Sequence, residues 1–159
     1  MTLAVFPGTF DPITVGHIDI ATRASTLFDH VLIAVAHNST KRPLLDLETR
    51  VWLAQKAVEH LDGVEVTTAE GLLAQFCRMR GATTIVKGLR GGADYDVERP
   101  MALMNRSLTG IETVFITGDG ALSHVASSLV RDVARHGGSI GTYVPEHVEK
   151  AVRDALALE

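Results

Sequence analysis

The side chains best suited to chemistry in this chain are Thr9, His17, Lys41, Lys87, Arg90, Ser127 and Ser128, all in or beside stretches that read as loops. Hydroxyls, cations and an imidazole in such places are what a shared phosphate site requires. The first of these loops is the most telling. A strand-like Leu3-Ala4-Val5-Phe6 runs into Pro7-Gly8-Thr9-Phe10-Asp11-Pro12-Ile13-Thr14-Val15-Gly16-His17, and a helical pattern follows. Backbone N–H groups, a helix N-terminus and the His17 ring can converge there on an anion. Pro7 and Pro12 fix φ at both ends of the loop, while Gly8 and Gly16 lack a Cβ that would block close backbone approach. Taken alone, the segment also reads as an ordinary βα turn that happens to contain a histidine.

Positioning these residues requires strands that end on one side of a sheet. Strand-like and helix-like segments alternate along the chain, which predicts a single α/β domain over residues 1–159, a doubly wound five-stranded parallel sheet with helices on both faces. The strands are expected at the start of the chain and over 31–36, 64–67, 82–86 and 113–117. Helices are expected over 17–28, from Asp46 as a cap onward, over 71–80 with Leu72, Leu73, Phe76 and Met79 on its apolar face, from 92 through Leu108, over 125–136 and over 145–158 with Pro145 at its first position. Pro100 conflicts locally with its helix, because a mid-helix proline removes a hydrogen bond. In such a sheet ligands sit beyond the carboxyl ends of the strands, where the strand order reverses. The loops to watch are therefore 7–16, 37–45, 68–73, 87–95 and 117–128.

Composition narrows the function further. With 15 basic and 19 acidic residues the net charge is -4, which argues against an extended nucleic-acid surface and leaves phosphate binding to a local cluster. The N-terminus lacks a basic segment followed by a long apolar one, and no apolar run reaches membrane-spanning length, so a cytoplasmic protein without membrane contact is expected. Cys77, the only cysteine, excludes an internal disulfide and a multi-cysteine zinc site, and no metal ligands are assigned. There is no P-loop pattern. Gly118-Asp119-Gly120-Ala121-Leu122-Ser123 begins like a dinucleotide fingerprint but ends in serine, and Gly137-Gly138-Ser139-Ile140-Gly141 follows a helix, so a helix-ending glycine turn explains it better than a nucleophile elbow. His30, His60, His136 and His147 read as solvated.

The longer pattern is specific. Gly8-Thr9-Phe10-Asp11-Pro12-Ile13-Thr14 with Gly16-His17, then Phe28-Asp29-His30-Val31, Lys41, Gly88-Leu89-Arg90, Met104-Asn105-Arg106, and Ser127-Ser128-Leu129-Val130 before Val133-Ala134-Arg135-His136 occur in order. Together they resemble the bacterial phosphopantetheine adenylyltransferase family of the nucleotidylyltransferase superfamily, over essentially the whole chain. The resemblance implies a Rossmann-like fold, a homohexamer, and transfer of the adenylyl group of ATP to 4'-phosphopantetheine with magnesium carried on the ATP phosphates. It gives His17, Lys41 and Thr9 catalytic roles: His17 on the α-phosphate, Lys41 on the attacking phosphate, Thr9 between the two. ATP would further meet Phe10, Gly88, Leu89, Arg90, Glu98 and the run Leu122, Ser123, His124, Val125, Ala126, Ser127 and Ser128. The acceptor would meet Thr9, Lys41, Lys87 and Leu73, with Leu72 beside it. Lys87 stands where many family members carry arginine, Ala126 replaces the first of three serines, and Leu122 and His124 replace aromatic residues. Two other functions stay open: a nucleotidylyltransferase acting on another phosphorylated acceptor, and a non-catalytic nucleotide-binding sensor.

Overall fold

The computed structural model describes residues 1–37 and 42–159. Five parallel strands, β1 (Leu3–Gly8), β2 (His30–Ala36), β3 (Val64–Ala69), β4 (Thr84–Leu89) and β5 (Glu112–Thr117), form one sheet in the order β3-β2-β1-β4-β5. Six helices connect and follow them: α1 (Val15–Ser25), α2 (Leu47–Val58), α3 (Leu73–Met79), α4 (Gly92–Thr109), α5 (Ser127–Arg135) and α6 (Glu146–Ala157). The doubly wound α/β architecture expected from the alternation of elements is therefore present. No described helix is long and apolar enough to cross a membrane.

Period-two alternation in the strands builds two cores. Ala4 and Phe6 of β1, Val31, Ile33 and Val35 of β2, and Val86 of β4 pack on one face with apolar residues of α1, α2, α5 and α6. Val5, Leu32, Ala34 and Ile85 pack on the other with Ala74, Phe76 and Cys77 of α3. On this second side Tyr95 of α4 meets Phe115 of β5 edge-to-face at 5.4 Å. Burial there pushes the Cys77 thiol up to about 11, so it stays a packed, unreactive thiol.

The strand order reverses between β1 and β4, and the ladder there is short. β1 pairs with β2 from Leu3↔His30 to Gly8↔Val35, but with β4 only at Ala4↔Thr84 and Val5↔Ile85. The carboxyl ends of β1 and β4 diverge, and the helix between strands, α1, starts in that opening. A crevice follows from the register itself.

Several sequence expectations need correction. Helix α3 begins at Leu73, with Leu72 as its cap, and both Leu72 (45% exposed) and Met79 (75%) lie outside the core. Pro145 is the cap of α6 rather than its first residue. Helix α4 runs through Pro100 unbroken; Asp96 and Pro100 are exposed, so water can satisfy the carbonyl that proline leaves without a donor. His147 is half-buried, with Nε2 3.2 Å from the Leu53 carbonyl and its ring edge-on to Trp52, and so joins α6 to α2. The glycine run after α5 behaves as expected: Gly137 has φ 77°, its N–H donates to Ala134 O, and the Gly138 N–H donates to Val133 O, a Schellman ending.

Candidate active site

The crevice at the switch point encloses about 470 Å³. β1 and its loop bring Gly8 and Thr9 to its wall, α1 brings Gly16 and His17, and β4 with its loop brings Lys87, Gly88, Leu89 and Arg90. Glu98 of α4, then Leu122, Val125 and Ala126, and finally Ser127 and Ser128 at the start of α5 close the far side. Residues separated by more than a hundred positions thus share one wall, but the 68–73 loop contributes none of its residues to it.

His17 is the third residue of α1, and Thr14 is the cap. The His17 N–H donates to Thr14 Oγ1 at 3.4 Å, and the Thr14 N–H donates to His17 Nδ1 at 3.0 Å. The imidazole thereby takes the place that Glu or Gln holds in a capping box. Because Nδ1 accepts a backbone hydrogen bond, the proton of the neutral ring sits on Nε2, which makes that nitrogen a donor. Burial, with Arg90 and then Lys87 adding positive charge, lowers the His17 pKa to about 4. The ring is fixed from beneath by Phe10, whose centroid lies 4.8 Å away, and by Phe6 at 6.4 Å.

Two glycines serve different purposes. A Cβ on Gly8 would stand 2.9 Å from the Phe10 ring, so glycine there is required by the protein's own packing. A Cβ on Gly16 would meet only Thr14 Oγ1 at 3.4 Å and Val125 O at 3.8 Å, so internal packing leaves room and the benefit is open space at the crevice wall. Gly88 is constrained more tightly than either: its Cβ would fall 2.7 Å from Ile20 Cγ1.

Phe10, Ser123, His124 and Leu73 do not reach the crevice wall. Phe10, with φ 50° and 2% exposure, is buried under His17. Ser123 caps the short 3-10 turn Gly120–Leu122, the His124 ring is edge-on to Tyr143 at 5.8 Å, and Leu73 packs against the core on the α3 side. Lys41 lies outside the described residues. Ser127 reaches the wall, although its hydroxyl donates to Pro12 O at 2.8 Å and so ties α5 to the first loop.

Sequence reasoning assigned no role to the residues that hold these loops together. Asp11 is 4% exposed, and its carboxylate accepts from the Leu44 and Leu45 N–H groups, both at 2.9 Å. Arg131 donates to the Asp11 carbonyl at 2.7 Å. Arg50, 3% exposed, donates through Nε to Leu45 O at 3.0 Å and through Nη1 to Thr9 O at 2.8 Å and Ala36 O at 3.1 Å. One guanidinium thus joins the ends of β1 and β2 to the segment before α2. Desolvation lowers its pKa, against the raising effect of Asp11 and Asp46.

The cytidylyltransferase-like family model matches residues 5–133, a span that contains every wall of the crevice. Fold and site therefore define a cytidylyltransferase-like α/β protein with a crevice at the switch point lined by His17, Lys87 and Arg90. The chain is also 45% identical over 161 residues to the phosphopantetheine adenylyltransferase of Bifidobacterium longum (strain DJO10A), covering 100% of this chain and 97% of that protein. It belongs to the phosphopantetheine adenylyltransferase family. Among solved structures, a protein provisionally named a nicotinate-nucleotide adenylyltransferase from Vibrio parahaemolyticus superposes with a TM-score of 0.73 at 21% identity, over 100% of this chain and 97% of that one. A lipopolysaccharide core biosynthesis protein from Thermoplasma volcanium GSS1 gives 0.55 at 21% identity, over 75% and 97%. Both likenesses concern the fold alone.

Proposed function

We propose that this protein transfers the adenylyl group of ATP to 4'-phosphopantetheine, giving dephospho-coenzyme A and pyrophosphate. The observation that carries the reaction type is His17: a neutral ring with its one N–H on Nε2, on the wall of a crevice that also holds Lys87 and Arg90. The acceptor is supported by the full-length relative named for that activity.

The nucleophile is an ionised phosphate oxygen, so the reaction needs neither a general base nor a covalent intermediate. Alignment and charge stabilisation suffice. The acceptor phosphate, steadied by Lys87 and Lys41, attacks the α-phosphorus in line while the bond to the bridging oxygen of pyrophosphate breaks. His17 Nε2–H donates to the α-phosphate as its charge grows, and Thr9 bonds between the two phosphates. Arg90 and the start of α5 at Ser127 and Ser128 hold the leaving pyrophosphate. Magnesium would be supplied on ATP rather than by a protein site. Among the described residues no three His, Cys, Asp or Glu side chains gather to hold a metal, and the crevice carboxylates are already engaged: Asp11 by two N–H groups, Asp19 by the Asp119 N–H, Asp94 by Arg90, Glu98 by Lys87 and Asp119 by the Ala121 N–H. The ion's charge would be carried by ATP oxygens.

Homo-oligomerisation, six copies by family resemblance, belongs to the same proposal. The exposed apolar stripe Val97, Met101, Met104 and Leu108 on α4 supports a second copy of this chain as its cover.

Pyrophosphate release is the test, measured with magnesium–ATP and a panel of 4'-phosphopantetheine, nicotinate mononucleotide and phosphorylated alcohols. Release with the first is expected. Release with another acceptor alone would defeat the pantetheine assignment, and release with none would favour a nucleotide sensor.

A further inference from the structure

Helix α4 sets two carboxylates one turn apart, and each meets a crevice cation from β4 or the loop after it. Glu98 Oε1 lies 3.3 Å from Lys87 Nζ, with both side chains about a quarter exposed, at 28% and 26%. Asp94 Oδ2 lies 3.4 Å from Arg90 Nε and also accepts the Arg90 backbone N–H at 2.7 Å. All four residues line the crevice. Lys87 and Arg90 are the groups the proposed function gives to phosphates, so the inference rests on that part of the reading.

We propose that Asp94 and Glu98 are built-in surrogate anions, which compete with phosphate for Arg90 and Lys87 and take the cations back when phosphate leaves. A phosphate that reaches Lys87 must displace the Glu98 carboxylate or accept it as a like charge a few ångströms away, and either costs binding free energy in a partly desolvated crevice. The same competition speeds departure. Once the P–O bond to pyrophosphate is broken, Asp94 returns to Arg90 and lowers the affinity for the product. Asp94 and Glu98 are on this argument positioning residues: they order the cations and tune the affinity of the site, without touching the reacting atoms. A capping role alone explains the Asp94 bond to the Arg90 N–H, but it does not explain why Glu98, a turn further on, faces Lys87.

Charge-neutral, shape-conserving variants separate the two readings by the sign of their effect. Calorimetric titration of the full chain at fixed ionic strength is made with inorganic phosphate for E98Q and inorganic pyrophosphate for D94N, each against the unmodified protein. Asn at 94 still accepts the backbone hydrogen bond. Both variants are expected to bind their probe roughly 3–10-fold tighter, about 1 kcal/mol in each case, and K87M in the E98Q background is expected to remove the gain. Equal or weaker binding by E98Q overturns the proposal, because a carboxylate that only orders Lys87 would leave the cation less well placed when neutralised. If phosphate affinity rises but no turnover is seen with 4'-phosphopantetheine, the acceptor assignment falls and this inference stands. Turnover without the rise in affinity overturns this inference alone.

Discussion

His17 shows what one residue can do when its local structure fixes its proton. The hydrogen bond at Nδ1 and the low pKa, about 4, together make Nε2–H a donor throughout the neutral range. His17→Ala should lower turnover by about 100- to 1,000-fold, the usual cost of losing one donor to developing charge, with little change in ATP affinity by equilibrium titration; unchanged turnover would remove its role. The same pKa makes a stability prediction. Between pH 6.5 and 4 the unfolded chain binds a proton that the folded ring refuses, so stability rises with pH across this window and is lost as pH falls through it. The residue is partly buried and keeps some contact with solvent, which screens the effect, so the loss on going from pH 7.5 to 4.5 is about 1–3 kcal/mol. His17→Gln keeps a capping-box partner and cannot titrate. Denaturant melts at the two pH values should show a smaller acid loss in that variant, and an identical loss would contradict the assignment. The place of His17 on the crevice wall was legible in sequence because its partner, Thr14, lies in the same short loop. Asp11 and Arg50 were not, although both are nearly fully buried, because Asp11 is held by backbone N–H groups 33 and 34 positions away and Arg50 joins three separate backbone carbonyls, one of them 41 positions away.

At the scale of elements, the site depends on how closely α1 lies on β4. Ile20 of α1 fills the space above Gly88, and a Cβ there would come 2.7 Å from Cγ1 and 3.0 Å from Cδ1. Gly88→Ala is therefore expected to cost about 1–3 kcal/mol by overpacking and to reduce turnover by shifting α1, which carries His17. Adding Ile20→Ala should recover part of both losses; a second variant that recovers neither in denaturant melts and turnover assays would show that the strain lies elsewhere. Arg50 acts between elements in the same sense. Arg50→Met leaves the carbonyls of Thr9, Ala36 and Leu45 without this donor and should cost about 2–4 kcal/mol, read as the shift in urea midpoint at constant slope. The elements were largely legible, since buried parallel strands and capped helices carry strong local signals, Asp46 accepting the Thr49 N–H at 2.8 Å among them. Their ends were not. Strands β1, β3 and β4 run two or three residues further than their apolar runs suggest, because pairing with a neighbour continues where hydrophobicity stops, and β4 starts at Thr84 rather than at 82.

For the molecule as a whole, the sequence pattern implied a doubly wound sheet, but strand order and register arise from pairings the chain makes only when folded, and the short β1–β4 ladder that opens the crevice has no local signature. Helix α4 is the other feature that only the folded chain explains. It has 18 residues and only Asn105 among them is buried, while Val97 is 76%, Met101 58%, Met104 57% and Leu108 48% exposed. Those four recur at helical spacing and form a stripe beside the face that carries Asp94 and Glu98. Water contact with so much apolar surface is costly at about 25 cal/mol per Å², and a copy of the same chain laid against it would remove that cost. A charge in the stripe should then be intolerable to assembly and harmless to the fold, since more than half of Met101 and of Met104 is open to solvent in the single chain. Met101→Glu combined with Met104→Glu is expected to sediment at a lower mass than the unmodified protein at micromolar concentration while keeping its circular dichroism and a single cooperative melt. An assembly of unchanged mass would mean that α4 meets solvent or a different partner, and a monomeric unmodified protein would remove the oligomer from the proposal. Because the stripe adjoins the helix face that meets Lys87 and Arg90, dissociation should also weaken phosphate binding if neighbouring copies help to hold α4 in place; equal pyrophosphate affinity in the assembled and dissociated forms would show that each chain sets its own cations unaided.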